Sequence, residues 1–311
     1  MAYGLPYQGS KNVIAERILK CLPSGTNFVD CCCGGGGAIL QAAVASGKYK
    51  TVTGYDINKS IIGLLKAVMV DGDTIDYEHF PMVSKAQFYE ARDRDATLED
   101  WLIKYTCSFG FKGTEYLWGE SRMKWKTLTH NVVTLPTVEE RRNALRDLLT
   151  LIVKEKPDEA ELKNMTHIEQ LTNLNRIHDV ELAIKGYKSK TKLQVFCKSM
   201  FDIPFENFDV IYFDPPYQNT TGYQRGTFSQ IMFKALLKVL IDSGKMVFVS
   251  EYNAPADGFV EVASFKKQMT LKSDENRSAI ERLFFGGTLE QYKALGLDVL
   301  DDTVTEPEVT E

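Results

Sequence analysis

The run Val210-Ile211-Tyr212-Phe213-Asp214-Pro215-Pro216-Tyr217 constrains the fold more than any other stretch. Four β-branched and aromatic residues in succession predict a buried central strand. Two prolines cannot donate to a sheet ladder, so the strand ends at Asp214. Each proline fixes its own φ and biases its predecessor towards extended backbone. The result is a stiff turn carrying a carboxylate and a phenol. On the bland reading it only ends a strand. The chemical reading starts from an aromatic amine, whose lone pair is delocalised into its ring. Such an amine attacks an electrophile only when acceptors hold its N–H groups and turn the lone pair outward. Asp214 offers one acceptor and the Pro215 carbonyl a second. Tyr217 offers a ring for stacking, worth roughly 1–3 kcal/mol per base.

Upstream, Thr26 to Asp30 reads as a strand running into Gly34-Gly35-Gly36-Gly37 and an apolar helix start. A second strand, 51–58, carries Asp56 near its tip, 22 residues beyond Gly34. A glycine-rich turn followed by an acidic strand tip is the pattern of a nucleoside-binding βαβ unit. The dinucleotide spacing is not met, because Ile39 or Leu40 stands where the third glycine belongs. An adenosyl cofactor without a phosphate fits better than a nicotinamide one. Asn58 is placed to cap the next helix. Strands at 193–197 and 245–250, a helix from Phe228 to Val239, and an antiparallel pair at 259–265 and 281–285 complete an α/β pattern. Near the start, Tyr7-Gln8-Gly9-Ser10-Lys11 predicts a turn into a helix capped by Ser10. A lysine there suits an anionic ligand group, though an ordinary capped helix reads the same way.

From about Asp71 the pattern changes. Residues 71–100 are acid-rich without a clear strand. Residues 101–126 interleave aromatics with Lys104, Lys112, Arg122, Lys124 and Lys126, which suits either nucleic-acid contact or an amphipathic cap. A helix at 138–153 is expected to bury Leu145, Leu148, Leu149 and Ile152, followed by a loop at 154–159 and a helix over 167–184. His167 and His178 read as surface or capping groups. Lys185, Lys188, Lys190, Lys192 and Lys198 form a basic cluster without an acid. The net charge of −5 over 311 residues is concentrated at the end, where six acids stand from Asp298 onward, and 291–311 reads as an acidic, disordered tail. Three of the six cysteines are adjacent, which suits neither a disulfide framework nor a zinc site. No membrane-length apolar run and no secretory signal is visible, so a cytoplasmic protein is expected.

Assembled, the motifs PYQGSK, FVDCCCGGG, GYDIN, CSFGFKG, DPPYQNTTGY, VSEYNAP and ERLFF make the chain, up to about residue 287, resemble the Dam-like adenine-specific DNA methyltransferases, phage-encoded ones especially. Their order is that of the alpha arrangement. The resemblance implies a Rossmann-like α/β fold dependent on S-adenosylmethionine. A catalytic and cofactor-binding domain would span 1–74 and 186–290, with a mainly helical target-recognition domain inserted at 75–185. It implies methyl transfer to the exocyclic amine of an adenine flipped out of a short duplex DNA sequence. Asp214, Pro215, Pro216 and Tyr217 would be catalytic. Tyr7, Gly9, Lys11, Asp30, Gly34, Gly35, Gly36, Asp56, Ile57, Ser199, Met200 and Asp214 would hold the cofactor, with Lys11 near its carboxylate. Lys112, Arg122, Lys124, Lys126, Lys188, Lys190, Asn219, Thr220 and Tyr223 would face DNA. Ser199-Met200 departs from the acidic or amide residue plus aromatic that is commoner there, and Cys32-Cys33 from an aromatic plus Cys. No metal and no obligate protein partner is implied, and a role in restriction-modification fits the family. Methylation of RNA or of a protein glutamine is the alternative enzyme reading, disfavoured by Asp214 where Asn is common. A cytosine target would favour Ser there. A DNA-binding protein with a decayed site is disfavoured by Lys11, Asp56 and Asp214.

Overall fold

The computed structural model describes residues 3–72, 75–78, 80–187, 190–216, 228–267 and 279–301. In chain order these contain α1 (Ala15–Lys20), β1 (Asn27–Asp30), α2 (Ala38–Ser46), β2 (Thr51–Asp56) and α3 (Lys59–Leu65), which runs on into a π-helical turn, Lys66–Asp71. Helices α4 (Lys85–Arg94), α5 (Leu98–Thr106), α6 (Glu120–Thr134), α7 (Val138–Glu155), α8 (Glu159–Thr166) and α9 (Glu169–Tyr187) follow. The chain then alternates again through β3 (Lys192–Cys197), β4 (Val210–Phe213), α10 (Gln230–Asp242), β5 (Met246–Glu251), β6 (Phe259–Lys267), β7 (Ala279–Gly286), α11 (Leu289–Ala294) and β8 (Leu300–Asp301). It divides into two compact units. One comprises Met1–Gly4, Lys11–Ile62 and Gly186–Glu311, the other Leu5–Ser10 and Gly63–Lys185. The second unit thus begins about a dozen residues earlier than the insertion expected at 75, and it includes a piece of the N-terminal segment. Among the described residues no helix is long and apolar enough to cross a membrane.

The first unit is built on one eight-stranded sheet in the order β3-β2-β1-β4-β5-β7-β6-β8. Strands β3, β2, β1, β4 and β5 are parallel, and β7 is antiparallel to both its neighbours. Strand order reverses between β1 and β4, so their carboxyl ends open a crevice where α/β sheets bind ligands. Burial on both faces explains the unbroken apolar composition of β4, whose four residues are all fully buried. Ile211 and Phe213 pack with Val29, Phe233, Leu237 and Val249 in the core on one face.

Two expectations fail in this unit. Ser10 does not cap α1. The amides of Ile14 and Ala15 turn back onto the Lys11 carbonyl (3.0 and 2.8 Å), and the helix starts four residues later with no side-chain cap. The expected acidic tail is folded as far as Asp301. Thr288 and Gln291 form a reciprocal cap on α11, and β8 pairs with β6. Tyr292 is wholly buried against Phe248 and Phe285, with its hydroxyl donating to the Cys21 carbonyl (3.1 Å). One aromatic anchor outweighs the polar composition around it.

The second unit is helical. Gly63 admits the Trp101 ring, since a Cβ there would lie 2.0 Å from it. Helix α7 buries Ala144, Leu148 and Leu151 beside Trp125, while Leu145 and Leu149 are 42% and 52% exposed. The core face is therefore rotated from the one expected, because the run Leu148 to Val153 offers an apolar residue to nearly every direction. The loop expected at 154–159 is short. Asp158 and Glu161 form a capping box that starts α8. His167 is exposed and ends α8, and His178 stacks on Tyr77 with ring centroids 4.5 Å apart.

His130 is 1% exposed, and burial pushes its pKa down to about 4, partly opposed by the Phe80 backbone. A histidine kept neutral in the fold takes up a proton near 6.5 when unfolded. Its contribution is complete above that pH and is lost as pH falls from about 6.5 towards 4. Wild type should lose stability relative to His130→Gln across that window, with a slope of at most ~1.4 kcal/mol per pH unit. Denaturant titrations at several pH values check this, and parallel curves for the two proteins would count against it.

Candidate active site

The site forms where β1, β2 and β4 end. The loop after β1 is stitched to both neighbours, with Cys31 N–H donating to the Tyr212 carbonyl and Cys33 N–H to the Tyr55 carbonyl, each at 2.9 Å. Gly36 and Gly37 take left-handed backbone (φ 78° and 68°), and Gly37 leads into α2. Gly34 N–H donates to Asp56 Oδ2 at 2.8 Å, and a Cβ on Gly34 would sit 2.4 Å from that oxygen. Asn58 N–H donates to Asp56 Oδ1 at 2.8 Å. The carboxylate at the β2 tip is therefore fixed by backbone donors on both oxygens. Ile57, next along, is half exposed. Strand β3 aligns Cys197 with Asp56, so Ser199 and Met200 follow at the same sheet edge. There Ser199 Oγ accepts from Phe201 N–H, and Met200 packs on the sheet core.

Asp214 follows β4 directly. Lys11 Nζ lies 2.7 Å from Asp214 Oδ1 and 2.8 Å from Glu281 Oε1. Lys11 and Glu281 are 4% and 2% exposed. Burial alone would push the ammonium pKa down, but the two carboxylates overcome it and hold the pKa well above the usual lysine range. Lys11, Asp30, Cys32, Cys33, Gly35, Ala38, Ile39 and Asp214 line a small pocket open to solvent. Burial raises the Asp30 pKa well above the carboxylate range. The Cys32 amide opposes this, while the Asp214 and Asp56 charges add to it. Burial likewise raises the pKa values of Cys31, Cys32 and Cys33, so these thiols stay neutral.

Of the predicted cofactor residues, the structure brings Lys11, Asp30, Gly35 and Asp214 to one pocket and joins Gly34 to Asp56. Tyr7 and Gly9 belong to the Leu5–Ser10 segment of the second unit, where Tyr7 packs on Tyr105 (ring centroids 5.5 Å apart). Pro215 is buried beside Asp214 and Pro216 half-buried. Tyr217, Asn219, Thr220, Tyr223 and Lys188 lie outside the described residues. Lys112, Arg122, Lys124 and Lys190 are exposed. Lys126 is not a surface group. It is fully buried, donates to the carbonyls of Asn164 and His167, and pairs with Glu169 at 3.0 Å. An ammonium ringed by internal acceptors ties helices together and does not reach a phosphate. Sequence reasoning missed Glu281, read only as part of a closing strand, although a lone acid inside the apolar run Ile280 to Phe285 was the available signal.

The family model for D12 class N6 adenine-specific DNA methyltransferases matches residues 7–280. The chain belongs to that family. It is a DNA adenine methyltransferase, and S-adenosylmethionine is its methyl donor. No curated protein matches the sequence. Solved structures similar to it include two of the rRNA methyltransferase aviRa from Streptomyces viridochromogenes. One is 12% identical with a TM-score of 0.33, covering 84% of this chain and 78% of that one. The other is 14% identical with a TM-score of 0.35, covering 86% and 82%. Superposition at this level says nothing of the substrate here.

The pocket fits the donor. A sulfonium and an α-ammonium are cationic, and the oxygen acceptors of Asp30 and Asp214 line the pocket. The glycine turn lets backbone approach closely, and Asp56 stands at the strand tip with each oxygen accepting from a backbone amide. Gly34→Ala should displace Asp56 and weaken binding of S-adenosylhomocysteine roughly tenfold or more, the equivalent of ~1.4 kcal/mol. Calorimetric titration measures this, and unchanged affinity would show that the contact between Gly34 and Asp56 does not shape the cofactor site.

Proposed function

We propose that Asp214, Pro215, Pro216 and Tyr217 present a flipped adenine of duplex DNA for direct methyl transfer, with the unit of Gly63–Lys185 reading the target sequence. The observation that carries this is the placement of Asp30 and Asp214 on one pocket at the ends of β1 and β4. Lys11 supplies the counter-charge to Asp214 and anchors its Oδ1. The carboxylate accepts one N–H of the adenine amine, and the Pro215 carbonyl accepts the other. With both N–H groups engaged, the lone pair faces the pocket. Tyr217 stacks on the base, compensating part of the few kcal/mol that flipping costs. When bound, the donor supplies an electrophilic methyl group on sulfur. As the new C–N bond forms, positive charge grows on the amine nitrogen beside Asp214, and that charge is what the carboxylate stabilises. Most of the acceleration then comes from positioning and a fixed charge.

On the cofactor side, Asp30 faces the ammonium group and Asp56 the ribose hydroxyls. Ile57, Ser199 and Met200 border the adenine, while Gly34, Gly35 and Gly36 complete the binding loop. Lys112, Arg122, Lys124 and Lys190 supply exposed charge for phosphates, joined by Lys188 and by Asn219, Thr220 and Tyr223 near the target base. The motif resemblance supports phage origin, a restriction-modification setting and action in the host cytoplasm.

The decisive experiment transfers a labelled methyl group from S-adenosylmethionine to unmethylated duplex DNA, digests the product to nucleosides and maps modified sites on single molecules. Methyladenine at one short motif is expected. Asp214→Ala should lower transfer at least ~10³-fold while leaving DNA affinity near normal. Near-normal turnover by this variant would refute the catalytic assignment.

A further inference from the structure

We infer that Glu281 is a positioning residue for methyl transfer, acting through Lys11 to fix the catalytic carboxylate; the inference rests on the reading of Asp214 given above. Strand β7 runs antiparallel to β5, so its first residues arrive at the edge where β4 and β5 end. Along β7, Glu281, Leu283 and Phe285 share one face and are all buried. A carboxylate in a position flanked by Leu and Phe is costly to bury, and an apolar side chain would serve packing better. What the carboxylate achieves is a grip on the Lys11 ammonium 2.8 Å away, alongside the 2.7 Å contact of the same nitrogen with Asp214 Oδ1.

Two consequences bear on the reaction. Lys11 is held at a fixed point, so Asp214 is anchored by one oxygen and cannot rotate with a wandering side chain. Glu281 also draws on the same ammonium, so less of the Lys11 charge is set against Asp214. The cluster therefore keeps a negative field at the place where the amine nitrogen becomes cationic, without reorganisation during the reaction. Without Glu281, Lys11 would neutralise Asp214 alone, and both effects would weaken.

The test compares wild type with Glu281→Gln, which keeps shape and removes charge. The single-turnover methyl-transfer rate should fall roughly 10- to 100-fold, less than the ~10²–10³-fold lost when a pre-organised group that touches the transition state is removed. Affinities for S-adenosylhomocysteine and duplex DNA should stay within about threefold, as expected of a residue that touches neither. Because Glu281 acts through Lys11, Glu281→Gln should add little further loss in a Lys11→Met background. A wild-type rate in Glu281→Gln, or losses that multiply in the double variant, would overturn the proposal. Asp214→Ala assayed beside them separates the layers. If it still turns over, the reading of Asp214 fails. If it is inert while Glu281→Gln is normal, only the role of Glu281 fails. Should Glu281→Gln not fold, NMR of the ¹⁵N-lysine-labelled wild type decides. A slowly exchanging ammonium signal that disappears in Lys11→Arg supports the clamp, and solvent-like exchange of Lys11 overturns it.

Discussion

A single buried ammonium group sets the terms for the rest of the site. Lys11 lies between Asp214 and Glu281, with Asp30 lining the same pocket. Carboxylates gathered in a low-dielectric crevice repel one another and tend to protonate, as the raised pKa of Asp30 illustrates. Lys11 is the counter-charge that Asp214 meets there. Its own pKa is raised only because two carboxylates outweigh the cost of burying it.

The sheet makes this arrangement possible. Its order reverses between β1 and β4, and the two strands that diverge there deliver Asp30 and Asp214. The glycine loop is held by main-chain hydrogen bonds to β2 and β4 as well as by its own turns. Asp56 is held by main-chain donors in the same way. The groups that would meet the cofactor are thus positioned by backbone, which side-chain changes elsewhere disturb little. The three adjacent cysteines fill space in this loop as neutral thiols, a role open to small residues generally.

Much of this was legible in the sequence because it is local. The strand that runs into Asp214-Pro215, and the glycines followed by Asp56, are contiguous patterns whose chemistry follows from residue type. What was not legible depends on distant chain or on competing anchors. Glu281 reads as an ordinary strand residue until antiparallel register brings it to Lys11. Lys126 resembles its exposed neighbours Lys124 and Arg122 and differs only in the carbonyls that surround it. The face of α7 is ambiguous because Leu148 to Val153 is apolar almost throughout. The end of the chain looked too polar to fold, yet a buried tyrosine and a helix cap suffice. Ser10 has a capping residue's chemistry, but the backbone turns around Lys11 before the helix begins.

The separation of Lys11 and Glu281 along the chain affects how the enzyme comes into being. Lys11 leaves the ribosome 270 residues before Glu281. A nascent chain that has reached β5 already carries the glycine loop, Asp56 and Asp214, yet its lysine has only half of its counter-charge and β5 has no strand on its outer edge. The clamp closes when β7 slots in beside β5, so the ion cluster registers that synthesis has reached the far side of the sheet. Chains cut short before that strand contain the glycine turn, Asp56 and Asp214 and still lack Glu281.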